Sequence, residues 1–328
     1  MKIFKIIFFL IILISCTDVK KNVPNNYPNI ILGVNGHPLT SNDYKLMTLD
    51  NQIKLIKDYK ASYYRIDIVT DQNGRITLGK ELFDSLIKLT KTNKIEILPN
   101  VALTGLDYST SDSLLYKKGF SVGEGFTKTY DEYFKVIEIG NENDLKIALR
   151  NKDEYVFVNG KLQFDPAKKN KLLNYIKGFY DGIKSINNRK QTIIGVSADL
   201  SGSNMSFYDE LFRFNINIDI LGTNWYDDKK DSFQTYIELL SKLKKKYKKQ
   251  IWVTELNYKE GSTNVSADVQ KVWLNNMVDN LSKSKLVDAI FIYQLFDEDS
   301  NLNKPGVPAF EANFGIYKIK NNKIEKKL

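Results

Sequence analysis

The chain has 328 residues, of which 42% are apolar and 27% charged, with one cysteine and one histidine. Disorder would need far less apolar content and a disulfide scaffold far more cysteine, so both classes are excluded. One cysteine and one histidine also cannot supply the ligands of a tetrahedral zinc site, which argues against a zinc protein.

The 48 basic and 39 acidic residues give a net charge of +9. A basic surface suggests nucleic acid or acidic glycans as partners. The lysines, however, crowd onto helix faces and ends, as in residues 242–249, and no nucleic-acid-binding motif accompanies them. We therefore predict a solvated basic surface and no nucleic-acid partner.

The N-terminal segment predicts export and lipidation. Two lysines precede the apolar run Ile6–Ile14, which is too short to span a bilayer and is typical of a signal-peptide core. It leads into Leu13-Ile14-Ser15-Cys16, which resembles the bacterial lipobox, where cleavage precedes an acylated cysteine. We predict a signal peptide over 1–15 and a polar tether over 16–28 that attaches the protein through Cys16 to a periplasmic or cell-surface membrane. An uncleaved anchor is the alternative.

Eight short apolar runs rich in β-branched residues follow, separated by amphipathic helical patterns. The runs are Ile30–Val34, Tyr63–Ile68, Ile95–Leu98, Val136–Ile139, Ile193–Val196, Ile218–Leu221, Ile251–Val253 and Ala289–Ile292. Nearly continuous apolar character is typical of parallel strands buried on both faces. The pattern predicts a single-domain α/β fold, a (β/α)8 TIM barrel, over residues 29–328. A doubly wound sheet would usually carry a glycine-rich phosphate turn, whose spacing Gly33–His37 lacks.

The connection after the fourth strand contains a hairpin signal. Two alternating runs in Tyr155–Phe164 flank Asn159-Gly160, a pair that favours a tight hairpin turn. We predict a small β-hairpin insertion over the barrel mouth.

Polar and aromatic residues recur where the predicted strands end. They are Asn35, His37, Arg65, Asp67, Asn100, Glu138, Asn141, Glu142, Ser197, Asn224, Trp225, Tyr226, Thr254, Glu255, Tyr293 and Gln294. In (β/α)8 barrels the chemistry lies at the carboxyl ends of the strands. If the barrel closes, these side chains converge on one site.

Glu142 and Glu255 directly follow strands 4 and 7. A partly desolvated carboxylate is costly unless it is paired or used. Glycoside hydrolysis requires two such groups, one to protonate the leaving oxygen and one to attack the anomeric carbon. We predict that these two residues are a catalytic pair; the alternative is two salt-bridged loop carboxylates.

Two motifs resemble those of the clan A glycoside hydrolases, which are retaining (β/α)8 enzymes. Ile139-Gly140-Asn141-Glu142-Asn143 is similar to the acid/base motif that ends strand 4, and Trp252-Val253-Thr254-Glu255-Leu256 to the nucleophile motif of strand 7. The resemblance covers about residues 29–317. It implies that Glu142 is the acid/base, that Glu255 is the nucleophile, that the linkage is β and that no cofactor is used.

The same resemblance implies roles for further residues. Arg65 matches an arginine beside the nucleophile, and Asn141 would contact the hydroxyl next to the anomeric carbon. Leu221–Tyr226 is similar to the strand 6 motif whose tyrosine, here Tyr226, bonds the nucleophile.

Four other residues are predicted to bind sugar. Asn224 belongs to the strand 6 motif, and Trp225 is an aromatic candidate for a subsite. Many clan members end strand 8 in a tryptophan that floors the sugar site, where this chain has Tyr293. His37 is placed near the nonreducing sugar, with a structural role as its alternative.

The sequence therefore predicts a monomeric retaining glycosidase that acts on an oligo- or polysaccharide without metal or cofactor. A noncatalytic surface glycan-binding lipoprotein and a transglycosylase using the same two glutamates remain open. The sugar, the linkage and exo or endo action are not specified.

Overall fold

The computed structural model describes residues 30–152, 154–159, 161–197, 203–227, 233–305, 307–320 and 323–328. The signal peptide, the tether and Cys16 lie outside these residues, so their assignment stays a prediction. Within the described ranges, none of the helices has the length and apolar character that a bilayer span requires.

The strands are β1 (Ile31–Gly36), β2 (Tyr63–Ile68), β3 (Glu96–Val101), β4 (Val136–Asn141), β5 (Arg150–Asn151), β6 (Glu154–Tyr155), β7 (Phe157–Val158), β8 (Lys161–Leu162), β9 (Gln191–Ser197), β10 (Ile220–Tyr226), β11 (Gln250–Asn257), β12 (Ala289–Ile292), β13 (Tyr317–Lys320) and β14 (Lys323–Lys326). The α-helices are α1 (Asn42–Lys45), α2 (Leu49–Asp58), α3 (Lys80–Asn93), α4 (Asp112–Tyr130), α5 (Asn143–Ile147), α6 (Pro166–Ile186), α7 (Ser203–Arg213), α8 (Phe233–Tyr247) and α9 (Ala267–Ser284). Three short 3₁₀ helices cover Asp131–Tyr133, Asp299–Asn303 and Ala309–Asn313.

Eight parallel strands close into a barrel in the order β1-β12-β11-β10-β9-β4-β3-β2. Helices connect successive strands on the outside, which confirms the predicted (β/α)8 fold. The sixth barrel strand lies later in the chain than the run 218–221 suggested, because Asn224, Trp225 and Tyr226 continue it.

Four helices begin at a residue whose side chain caps them. The side chains of Thr48, Ser111 and Ser266 each accept a hydrogen bond from a backbone N–H three residues later. Asp165 accepts from two backbone N–H groups at the start of α6, whose first residue is proline. These caps satisfy donors that a helix start leaves unpaired, so they favour the start of these four helices at the observed residues.

Apolar side chains fill the lower half of the barrel interior. They are Tyr63, Leu98, Val136, Ile193, Ile220, Trp252, Ala289 and Phe291. Because side chains alternate along a strand, the next inward positions lie two residues closer to the carboxyl ends. On β2, β3 and β4 these positions hold Arg65, Asn100 and Glu138. The polar layer therefore lies on the apolar layer, on the side of the carboxyl ends of the strands.

The connection between β4 and α6 contains two short hairpins. Strands β7 and β8 pair antiparallel, with Val158 opposite Lys161, so the predicted hairpin is confirmed but shorter than Tyr155–Phe164. Strands β5 and β6 form a second hairpin just before it. Each strand of this second hairpin is only two residues long and shows no alternating pattern, so the sequence does not predict the hairpin.

Candidate active site

Two adjoining cavities open at the carboxyl ends of the barrel strands. One, of about 530 Å³, is lined by Asn141, Glu142, Tyr226, Glu255, Lys259, Glu260, Tyr293, Phe310, Glu311 and Phe314. The other, of about 680 Å³, includes His37 and Asp67 in its wall and shares Tyr293 and Glu311 with the first. Both volumes are ordinary for ligand pockets. Glu142 and Glu255 thus face one cavity although they are distant in sequence.

Arg65 joins two carboxylates inside the barrel. Its Nε and Nη2 donate to Glu138 Oε2 and Oε1 at 2.6 and 2.9 Å, and its Nη1 donates to Glu255 Oε1 at 2.9 Å. Burial by itself would lower the pKa of Arg65, but the charges of Glu138 and Glu255 outweigh it and raise that pKa. The guanidinium therefore stays charged, and its bidentate contact with Glu138 fixes the direction of the third N–H.

Glu255 accepts hydrogen bonds from three different strands. Besides Arg65, Asn141 Nδ2 donates to Oε1 at 2.9 Å and the Tyr226 hydroxyl donates to Oε2 at 2.7 Å. Burial and the charge of Glu255 raise the pKa of Tyr226, so its hydroxyl stays protonated and donates a hydrogen bond to Glu255. The carboxylate of Glu255 is held in one orientation toward the cavity.

Glu142 leaves β4 in a left-handed backbone conformation, with φ +48° and ψ +38°. Its backbone N–H donates to Gly195 O at 2.9 Å, and its Oε1 accepts from Asn224 Nδ2 at 3.1 Å. That same amide nitrogen donates to Asn141 Oδ1 at 3.0 Å, while Thr254 Oγ1 donates to Asn224 Oδ1 at 2.7 Å. A continuous hydrogen-bonded chain therefore links the two glutamates through Asn224 and Asn141.

The close packing of this network depends on a glycine in β9. A Cβ atom at Gly195 would lie 2.5 Å from Asn141 Oδ1 and 2.7 Å from Glu138 Oε1. Any side chain at that position would displace one of the two groups that orient Glu255.

His37 and Asp67 form an ion pair in the wall of the second cavity. His37 Nδ1 donates to Asp67 Oδ2 at 2.7 Å, and Asn100 Nδ2 donates to Asp67 Oδ1 at 2.8 Å. Burial opposes both charges, but the partners outweigh it: the pKa of His37 rises to about 9, and that of Asp67 falls to about 2. His37 Nε2 is buried and has no hydrogen-bond partner among the described residues.

Aromatic rings form one side of the site. Phe314 lies 5.4 Å from Tyr226 and 5.6 Å from Tyr293 between ring centroids, and the Tyr293 ring lies 5.8 Å from that of His37. Tyr293 therefore stands between the two cavities, at the end of the last barrel strand. Its contact with sugar stays a prediction.

Trp225 does not line either cavity, which corrects the prediction that it binds sugar. Its ring stacks on Tyr236 of α8 at 4.6 Å and on Trp273 of α9 at 5.5 Å, and it is 7% exposed. Asn224 and Tyr226 point into the barrel, so the alternation of a strand directs Trp225 outward into the helix layer. Its role is packing.

Sequence reasoning missed two acidic residues of the site. Among the polar residues of the strands, the sequence does not distinguish Glu138, although a carboxylate inside the apolar run Val136–Ile139 indicates a buried partner. Glu311 belongs to the 3₁₀ segment Ala309–Asn313 and lines both cavities. Burial, then the charges of Glu255 and Glu298, raise the pKa of Glu311 to about 7. The stretch Glu311–Tyr317 resembles the segment after strand 8 in many clan A enzymes, but that resemblance supports the register of the chain and gives Glu311 no chemical role.

Among the residues that the structure describes, no group of three or more histidine, cysteine or acidic side chains is arranged to hold a metal ion.

Comparison with known proteins agrees with the fold. Residues 179–308 match the family model described as "Glycosyl hydrolase catalytic core", a segment that contains Glu255 but not Glu142. No curated protein sequence matches the chain.

Solved structures resemble the whole barrel at low identity. A β-glucosidase from Thermotoga maritima has a TM-score of 0.65 at 10% identity, covering 90% of this chain and 94% of its own. The virulence factor SghA from Agrobacterium tumefaciens has a TM-score of 0.60 at 12% identity, covering 91% and 94%. The closed barrel and the match to the glycosyl hydrolase catalytic core together support a glycosidase.

Proposed function

We propose that the protein is a retaining glycoside hydrolase that cleaves a β-linked oligo- or polysaccharide by double displacement, anchored to a membrane by a lipidated Cys16. One observation carries the enzymatic part of this proposal. Glu255 is hydrogen-bonded by Arg65, Asn141 and Tyr226, and it lines the same cavity as Glu142.

In the first step, Glu255 attacks the anomeric carbon while Glu142 gives a proton to the departing oxygen. The C–O bond to the leaving group breaks and a glycosyl ester of Glu255 forms. Arg65, Asn141 and Tyr226 orient the attacking carboxylate, so little reorganisation is needed at the moment of reaction.

In the second step, Glu142 removes a proton from water, which attacks the same carbon and releases Glu255. Because each displacement inverts the anomeric centre, two displacements retain its configuration. Glu138 supports both steps by holding the rest of the Arg65 guanidinium in place.

Sugar recognition uses the polar and aromatic groups around the two glutamates. We assign Asn141 and Asn224 to the hydroxyl beside the anomeric carbon, where contacts strengthen in the transition state. Tyr293 offers a ring face to the sugar, and His37 Nε2 offers a hydrogen bond to a hydroxyl in the second cavity. The similarity to a β-glucosidase supports the β-linkage, and the partial family match supports hydrolysis.

Azide rescue tests the two roles separately. A panel of 4-nitrophenyl β-glycosides and polysaccharides first identifies a substrate of the wild-type protein. Glu255→Ala should then lose turnover and, with azide, yield the α-glycosyl azide. Glu142→Ala should retain formation of the glycosyl-enzyme from the activated aryl substrate and, with azide, yield the β-glycosyl azide.

Proton NMR of the early product checks the stereochemistry, because a retaining enzyme releases the β-anomer first. Release of the α-anomer first, or the same azide anomer from both variants, would contradict double displacement. Tight glycan binding without any product would instead favour the noncatalytic alternative.

The anchor has an independent test. Cells that express the full chain should incorporate labelled fatty acid into it, and Cys16→Ser should abolish that incorporation. Equal labelling of both proteins would contradict lipidation at this residue.

A further inference from the structure

The end of the barrel opposite the two cavities carries an excess of basic over acidic residues. We define the lower face as the last helical turn and the loop before each of barrel strands two to eight: residues 55–63, 90–96, 130–136, 183–191, 210–220, 244–250 and 281–289. It holds 16 of the 48 basic residues and seven of the 39 acidic ones, which leaves 32 of each elsewhere. The net charge of +9 therefore lies on this face.

Most of these basic side chains face solvent. The exposed ones are Lys57, Lys60, Lys91, Lys94, Lys135, Arg189, Arg213, Lys245, Lys246, Lys248, Lys283 and Lys285. Five of the seven acids on the face form ion pairs with its own basic residues. The acids are thus largely used within the face, and the excess of lysine remains at the surface.

Four lysines on this face occupy positions that favour glycine. Lys60, Lys94, Lys248 and Lys285 end their helices or begin the following loops with φ values of +62°, +56°, +54° and +57°. Glycine or asparagine is the usual residue in this left-handed conformation, which disfavours a side chain with a Cβ. The helix dipole favours a cation near the C-terminal end of a helix. Residues 244–250, at the end of α8 and in the loop after it, carry five lysines. These four lysines therefore lie where the backbone conformation favours glycine.

The described chain enters the barrel at this same face. Ile31 N donates to Asp288 O, in the loop before β12, at 3.1 Å. The predicted lipid site, Cys16, precedes Ile30 by 14 residues, a span of at most about 50 Å when extended. A membrane that holds Cys16 is therefore within reach of the lower face.

We propose that the lower face docks on an anionic phospholipid surface and turns the catalytic cavities away from it. The proposal goes beyond the hydrolase function and does not depend on catalysis. Lysines close to an anionic bilayer are attracted to it, and the attraction decays within a Debye length, about 8 Å at physiological salt. Both the exposed lysines of the lower face and the entry point of the chain favour an orientation with this face toward the lipid.

Vesicle binding of the full, unacylated chain carrying Cys16→Ser tests the proposal. Phosphatidylcholine vesicles with and without 30% phosphatidylglycerol separate the contribution of charge from insertion of the apolar N-terminal run, which occurs in both. We expect stronger binding to the anionic vesicles, and loss of the difference in 0.5 M NaCl.

The key variant replaces Lys60, Lys94, Lys248 and Lys285 together by asparagine, which tolerates the left-handed conformation. It should weaken binding to the anionic vesicles by at least about tenfold. The matched control replaces four exposed lysines near the catalytic end, Lys80, Lys117, Lys161 and Lys168, by glutamine and should change binding by less than about threefold. Circular dichroism verifies that both variants are folded.

Acetylation of lysines in the presence of vesicles locates the contact. Anionic vesicles should protect the four lower-face lysines and leave the control lysines reactive. Equal loss of binding in both variants, unchanged binding in the lower-face variant, or tighter binding to duplex DNA than to anionic vesicles would overturn the proposal. Failure of Cys16 labelling would not, because this assay uses no acyl chain.

Discussion

Replacing Glu311 by glutamine should stabilise the protein much more at pH 8 than at pH 5. Burial, together with the charges of Glu255 and Glu298, raises the pKa of Glu311 from 4.5 to about 7. Between those pH values the folded state keeps a proton that the unfolded state has released, so the free energy of unfolding falls as pH rises through this window. The difference in pKa corresponds to about 3 kcal/mol, fully expressed above pH 7.

Urea denaturation at pH 5 and pH 8 measures the effect, since glutamine keeps the shape of the side chain without its charge. Glu311→Gln should be about 3 kcal/mol more stable than wild type at pH 8, and the gain should fall to about 1 kcal/mol or less at pH 5. In a Glu255→Gln background the gain at pH 8 should shrink but persist, because burial is the larger cause of the shift. An equal gain at both pH values, or none at pH 8, would refute the reasoning.

Three further predictions follow from the same site. Arg65→Gln should destabilise the fold by about 3 to 5 kcal/mol in urea denaturation, because it leaves Glu138 buried without its partner; adding Glu138→Gln should restore part of the stability but not the activity. Wild type should lose up to about 3 kcal/mol of stability as pH rises from 6.5 through 9, because the raised pKa of His37 contributes only while the imidazole is charged; His37→Gln should lack that loss in pH-dependent denaturation. Trp225→Ala should cost about 3 to 5 kcal/mol and leave KM for an aryl glycoside unchanged, whereas a sugar-binding role would raise KM.

The barrel was predictable because its signal is repeated. Eight apolar runs alternate with helical patterns, and parallel strands buried on both faces must show that continuity. The ends of the runs were less certain. Strand β10 extends through Asn224 and Tyr226, and those polar or amphipathic residues appear as loop when the sequence alone is considered.

The site was predictable where chemistry restricts the residue type. Glu142 directly follows β4 and Glu255 lies near the carboxyl end of β11, and the structure places both on one cavity. Glu311 could not be predicted, because its position depends on how the segment after β12 folds back over the barrel mouth. The prediction that Trp225 binds sugar rests on its aromatic residue type. Since side chains alternate along a strand, a residue between the inward-facing Asn224 and Tyr226 points outward.

Local irregularities in two strands explain why the glutamates meet. On β4, Glu138 pairs with Ile193 and Asn141 with Gly195, so β4 has one residue more than β9 in this interval. On β11, Val253 pairs with Thr223 and Glu255 with Asn224, so β11 has an extra residue there too.

Such bulges break the alternation of a strand and redirect its side chains. In a regular β11, Thr254 and Glu255 would point to opposite faces, yet here Thr254 bonds Asn224 while Glu255 bonds Arg65, both inside the barrel. The extra residue of β4 lies between Glu138 and Asn141, just before Glu142, and that of β11 lies between Val253 and Glu255. A bulge leaves little trace in composition or periodicity, so the sequence can indicate which residues react while only the fold shows how they are aimed at a common point.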